Sequence, residues 1–199
     1  MEKKETHKYL PIKENRKFSF IYMIYIFAIS TIVGWAAETF VVYIVAGHFV
    51  KRGILYGPFC LIYGFGACIL YFLFYNIKAT KKNIIYVFIT SSIILGTFEL
   101  VSGLGMKYIF NTEMWNYDGK FLEILNYTTV PILFEWGILG TIYIFFLQPI
   151  LFKILSFIPE RFTKRLAIFI IVFFIVNYIF SVINISTDPN ILYKMVNNL

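Results

Sequence analysis

Charge is scarce in this chain, and histidine and cysteine are scarcer. Of 199 residues, 18 are Lys or Arg, 11 are Asp or Glu, 2 are His and 2 are Cys. The histidines, His7 and His48, fall in a terminal tail and a loop, which argues against a histidine-based triad inside the fold. Cys60 and Cys68 share one apolar run. On a helix their spacing is about two turns, roughly 12 Å, too long for a disulfide. Neither has a Cys or His neighbour at metal-ligand spacing, so no metal and no cofactor is expected, and small apolar packing roles are. A Walker A loop, a Gly-x-Ser-x-Gly elbow and a His-Glu-x-x-His pair are all missing, which removes the commonest nucleotide, acyl-transfer and zinc-hydrolase routes. The apolar run from Phe18 is too long for a signal-peptide core and lacks a small-residue cleavage site, so no cleaved signal is expected.

What the chain has instead is hydrophobic residues: 59% of the sequence, 21% aromatic, with mean hydropathy +0.74. A soluble domain carries about 45–50% apolar residues, and here the excess is gathered in long runs. The reading is an all-α polytopic membrane bundle of one domain. Five spans are expected, over about 18–46, 55–77, 84–106, 130–152 and 166–185, with a basic tail at 1–17, a long connecting segment at 107–128 and a polar tail at 186–199. The formal net charge of +7 fits basic flanks facing anionic lipid and gives no reason to invoke nucleic acid.

Five spans put the termini on opposite sides. One side gathers Lys3, Lys4, Lys8, Lys13, Arg16, Lys17, Lys78, Lys81, Lys82, Lys153, Arg161, Lys164 and Arg165; the other has Lys51, Arg52, Lys107, Lys120 and Lys194. The excess of basic residues predicts a cytoplasmic N-terminus, in a bacterial cell membrane.

Within the apolar runs stand three glutamates, Glu38, Glu99 and Glu135. A carboxylate in hydrocarbon costs a few kcal/mol, so its default reading is functional. At 1.5 Å rise per residue they lie roughly 12, 10 and 8 Å below the outer surface. Glu38 and Glu99 are the stronger candidates for a polar pocket that binds a proton, a cation or a small solute. Glu135 is nearer the interface and fits a headgroup-facing position. The plain alternative is that such groups only cross-link helices.

A second constellation is Arg52-Gly53-Ile54-Leu55-Tyr56-Gly57-Pro58 with Tyr63-Gly64-Phe65-Gly66. Gly53 and Gly57 are spaced Gly-x-x-x-Gly. With Gly34, Gly64 and Gly66 they read as helix-packing positions. Arg52, at a helix start, could reach the acids or hold an anion such as a lipid phosphate. Tyr56 and Tyr63 would line the pocket mouth. A third is Met114-Trp115-Asn116-Tyr117-Asp118-Gly119, an interfacial aromatic turn long enough to fold over the acids, with Trp115 and Tyr117 as candidate contacts and Asn126 and Tyr127 beside them. Gly34-Trp35…Glu38 and Glu135-Trp136-Gly137 form a loose mirror image.

Gly34-Trp35-x-x-Glu38, the Arg52-Gly53…Gly57-Pro58 block, Ile62-Tyr63-Gly64-x-Gly66, Glu99, Trp115-x-Tyr117 and Trp136-Gly137 resemble the family of putative ABC-transporter type IV membrane proteins over about residues 20–150. The chain departs from that pattern at Lys51, Asn116 and Thr129. The resemblance implies a permease-like bacterial membrane protein, acting as a transporter or transport accessory, with an ATPase subunit as one candidate partner. The cytoplasmic loops, roughly 6–13 residues long, offer an ATPase little to grip. Two other readings stay open: an enzyme or binder acting on a phosphate-bearing lipid headgroup, and a structural subunit. The glycine faces fit a homodimer as well as a monomer.

Overall fold

The computed structural model describes residues 18–111 and 113–187; the two polar tails, 1–17 and 188–199, with the positive charges counted in them, lie outside the described residues. Helix α1 spans Phe20–Ala46, capped by Ser19, and ends at Gly47 with φ +75°. Helix α2 is Leu61–Phe74 and helix α3 is Lys81–Phe110, started by the Thr80 side chain. A two-stranded hairpin follows, β1 Glu123–Ile124 against β2 Thr128–Thr129. Helix α4, Val130–Ile142, runs through a π-helical turn, Tyr143–Leu147, into helix α5, Gln148–Leu155. Helix α6 is Glu160–Thr187.

Among the described residues four stretches are long and apolar enough to cross a membrane: α1, α3, the continuous α4–α5 rod and most of α6. They make this an all-helical, multi-pass membrane bundle. Within the expected second span, 55–77, helix is confined to α2. Its 14 residues cover about 21 Å at the helical rise, less than a bilayer core of ~30 Å. The helix starts late because Gly53 (φ +77°) and Gly57 (φ +94°) take left-handed conformations, and Pro58 follows directly. The Gly-x-x-x-Gly spacing there belongs to a turn-rich segment, not to a helix face.

Residues 47–60 leave the end of α1 and run back along it. The Cys60 amide donates to the Thr31 carbonyl at 3.1 Å, near the middle of α1. Leu55 is completely buried. Further out, the Asn177 side chain of α6 accepts from the Tyr56 amide (3.0 Å) and donates to the Tyr56 carbonyl (2.9 Å). Non-helical backbone at membrane depth is tolerated only when buried in protein with its polar groups met, and Asn177 and Thr31 meet them.

Small residues draw the helices together. Gly34 of α1 lies against the Tyr63 ring, and Gly64 of α2 against Thr31 and Phe27. Gly96 of α3 receives Leu133; Gly137 and Gly140 of α4 receive Ser92 and Ser91. The shared core gathers Ile26, Leu70, Tyr71, Leu95, Trp136, Tyr143 and Phe152. Phe134, Ile168, Phe169 and Val176 stay exposed, as side chains facing lipid should.

Candidate functional site

The C-terminal ends of α1 and α3 and the start of α4 share one end of the bundle. Each sends polar groups inward there. Two carboxylates, one guanidinium and a ring of aromatic donors meet beneath the hairpin.

Glu38 is held by the re-entrant segment. Arg52 Nε donates to Glu38 Oε1 at 2.7 Å, and Arg52 Nη2 reaches the same oxygen. Both side chains are about one-fifth exposed. Cys60 Sγ lies 3.4 Å from the other oxygen, Oε2, and Tyr63 stands within range of the same charge. Backtracking by residues 47–60 is what places Arg52 at this depth.

Glu99 is organised differently. It is 6% exposed and accepts three hydrogen bonds from neutral donors: Thr128 Oγ1 at 2.8 Å, Trp136 Nε1 at 3.2 Å and the Tyr117 hydroxyl at 3.3 Å. Among the described residues no cation touches it. The donors come from the connecting segment, the hairpin and α4, so the end of the bundle closes around this carboxylate.

The connecting segment is built to reach inward. Leu125 and Asn126 both have positive φ (+50° and +64°), which turns the chain sharply between β1 and β2 and returns Thr128 to the bundle. The Asn126 carbonyl accepts from the Tyr117 amide at 2.8 Å. Trp115 Nε1 donates to the Tyr127 carbonyl at 3.0 Å. The Tyr127 ring lies against Gly103, and its hydroxyl donates to Glu113 Oε1 at 2.8 Å. Lys107 Nζ closes on the same carboxylate oxygen at 3.2 Å. Hydrogen bonds from Asn116 and Tyr127, with Lys107, hold the Glu113 carboxyl below its usual range. Burial, then the Glu99 carboxylate, pushes the Tyr117 phenol up, so Tyr117 remains a donor. It bonds Glu99 alone, although the charges of Glu38 and Arg52 lie within range.

Tyr63 and Trp136 also meet, ring centroids 5.7 Å apart and tilted by 44°. They form one end of a cavity of about 210 Å³ that runs down between α1 and the α4–α5 rod, floored by α2.

The structure thus brings together Glu38, Arg52, Tyr63, Glu99 and Tyr117. Trp115 lies one layer out, bracing Tyr127. Tyr56 turns away: its ring packs on Phe180 at 5.4 Å, with Lys51 Nζ 5.4 Å from the ring centre on the same side of the bundle. Glu135 is exposed on α4, although its charge still acts on Glu99. Gly34, Gly64 and Gly66 serve helix contacts, whereas Gly53 and Gly57 serve the turn. Sequence reasoning gave no site role to Thr128, Trp136, Cys60 or Asn177. Asn177 carried a signal, as a carboxamide inside a strongly apolar run. Among the described residues no three His, Cys, Asp or Glu side chains gather as a metal set.

A family model described as "Putative ABC-transporter type IV" matches residues 25–182, which include every residue of this site. No curated protein and no solved structure matches the chain.

Proposed function

This chain belongs to the Putative ABC-transporter type IV family, and on that premise we propose that it is a permease-type membrane transporter whose coupling group is Glu99. The observation that carries this is an asymmetry between two neighbouring carboxylates. Glu38 has a guanidinium partner; Glu99 has three neutral donors and, among the described residues, no cation. A buried carboxylate without a counter-charge gains from taking up a proton or a cation. Two of its donors, the Thr128 and Tyr117 hydroxyls, can turn to accept from the incoming species, whereas the Trp136 indole N–H can only donate. Tyr117, on a segment that crosses the bundle end, is placed to act as a gate: when it lifts, Glu99 faces the outside.

The Glu38–Arg52 pair supplies a fixed scaffold beside the exchanging site. An ion pair of this kind adds little net stability, yet it holds the re-entrant segment at one depth. An ATPase partner is not needed for a site that exchanges charge.

Reconstituted protein on a solid-supported membrane tests the reading. A pH jump on the outer face should give a transient charge displacement. Glu99→Gln should abolish it, and Glu135→Gln, on the exposed face of α4, should keep it. An identical transient in Glu99→Gln would rule Glu99 out as the exchanging group.

A further inference from the structure

Below the two carboxylates runs the cavity between α1 and the α4–α5 rod. Its rim residues Val33, Leu139 and Ile150 are about half exposed, so the groove opens sideways to the hydrocarbon of the bilayer. Its upper end is closed by the tilted Tyr63–Trp136 pair. Trp136 donates to Glu99 behind it, and Tyr63 stands within range of the Glu38 charge. Lower down, the Tyr143 hydroxyl lines the cavity. The residue is 8% exposed and its hydroxyl is buried, with Ser30 also lining the cavity. Tyr143 opens the π-helical turn, a distortion found disproportionately at functional sites.

We propose that this groove admits an amphiphilic organic cation sideways from the membrane, its ammonium resting on the faces of Tyr63 and Trp136 and its hydrocarbon part lying along α1 and α4. The proposal rests on the reading of Glu99 above and names the class of substrate. Charge complementarity selects the cation. The end of the groove has two carboxylates behind it, and the single guanidinium there, Arg52, is already committed to Glu38. Aromatic faces attract ammonium groups, and more so away from water. An anionic headgroup would meet that excess of negative charge and would have to pull Arg52 off Glu38.

The groups that face Glu99 set its competition with protons. They are Thr128 and Tyr117 from the connecting segment and Trp136 and the charge of Glu135 from α4, with the Glu38–Arg52 pair within range of Tyr117. None of them is a cation in contact with Glu99. An ammonium arriving at the groove end therefore substitutes for a proton on Glu99. No covalent bond to the cation forms; the Glu99 O–H bond breaks and its proton passes to water, so one charge leaves as another arrives.

Three amphiphiles with the same chain and different heads provide the test: decyltrimethylammonium, decyl phosphate and decanol, each radiolabelled, with protein in nanodiscs measured against empty nanodiscs. Decyltrimethylammonium should bind above background and the other two should not. Glu99→Gln should weaken that binding about tenfold or more, the equivalent of ~1.4 kcal/mol. Leu139→Trp, which fills the groove from a lipid-exposed position, should block it. The unaltered protein gives an independent readout, since binding should release protons into weakly buffered solution. Equal or tighter binding of decyl phosphate would overturn the proposal in favour of an anionic headgroup. Absence of decyltrimethylammonium binding in a protein that still shows the pH-jump transient would overturn the proposal and leave the role of Glu99 standing. Loss of both would remove both.

Discussion

Arg52 meets Glu38 from 14 residues further along the chain, through Nε at 2.7 Å, because the segment between them turns back into the bundle. On a straight helical continuation the two would point to different levels. The pair is partly buried, so removing one partner strands the other. Glu38→Gln should lower stability by about 2 kcal/mol, below the range for fully buried pairs because some water reaches it. Glu38→Gln with Arg52→Gln should recover part of that loss. Thermal unfolding in detergent of the four proteins of the cycle measures the coupling; additive losses would mean that the contact contributes nothing.

Asn177 should matter out of proportion to its size. Its amide satisfies both backbone groups of Tyr56 at membrane depth. Asn177→Leu leaves a part-buried N–H and C=O without this partner, at a combined cost of about 1–3 kcal/mol. The expected result is that residues 47–60 loosen while the bundle stays helical. Limited proteolysis in this segment, with unchanged far-UV circular dichroism, would show it. Equal protection in Asn177→Leu and the unaltered protein would show that the segment is held by its packing alone.

The connecting segment should respond to acid through Glu113. Its carboxyl is held below the ordinary range by Asn116, Tyr127 and Lys107. A depressed carboxyl stabilises above its unfolded-state value, and that contribution disappears as pH falls through the lower folded-state value. Trp115, which donates to the Tyr127 carbonyl, reports on the same tether. In a variant with Trp35 and Trp136 replaced by Phe, its fluorescence should shift to the red only below the normal glutamate range. Glu113→Gln should show the shifted spectrum at neutral pH.

Orientation is open to a direct check. Asp118 is exposed at the turn of the connecting segment. With Cys60 and Cys68 replaced by Ala, Asp118→Cys should react with a membrane-impermeant maleimide in intact cells, as the charge count of the loops requires. Labelling only after lysis would invert the bundle.

How much of this was legible in the sequence depends on how local each cause is. Apolar runs marked the crossing helices, because a bilayer demands length and hydropathy and little else. Glu38, Glu99 and Arg52 stood out as charges among apolar neighbours. The re-entrant course of residues 47–60 did not, since Gly53 and Gly57 have the spacing of a helix-packing motif, and the partners that hold the segment, Thr31 and Asn177, are distant in sequence. Thr128 and Trp136 are neutral and ordinary near a membrane surface. Only the hairpin turn at Leu125 and Asn126 reveals why Thr128 reaches Glu99. Tyr56 reads as a pocket residue beside Arg52, yet the turn at Gly57 directs its ring to α6.

Infrared difference spectroscopy, comparing unaltered protein with Glu99→Gln across pH in a lipid film, tests the central claim most directly. The account predicts a protonated-carboxyl band that appears reversibly as pH falls, is missing from Glu99→Gln and is displaced when decyltrimethylammonium is added. Superimposable carboxyl titrations in the two proteins would contradict it, because Glu99 would then neither take up nor release a proton.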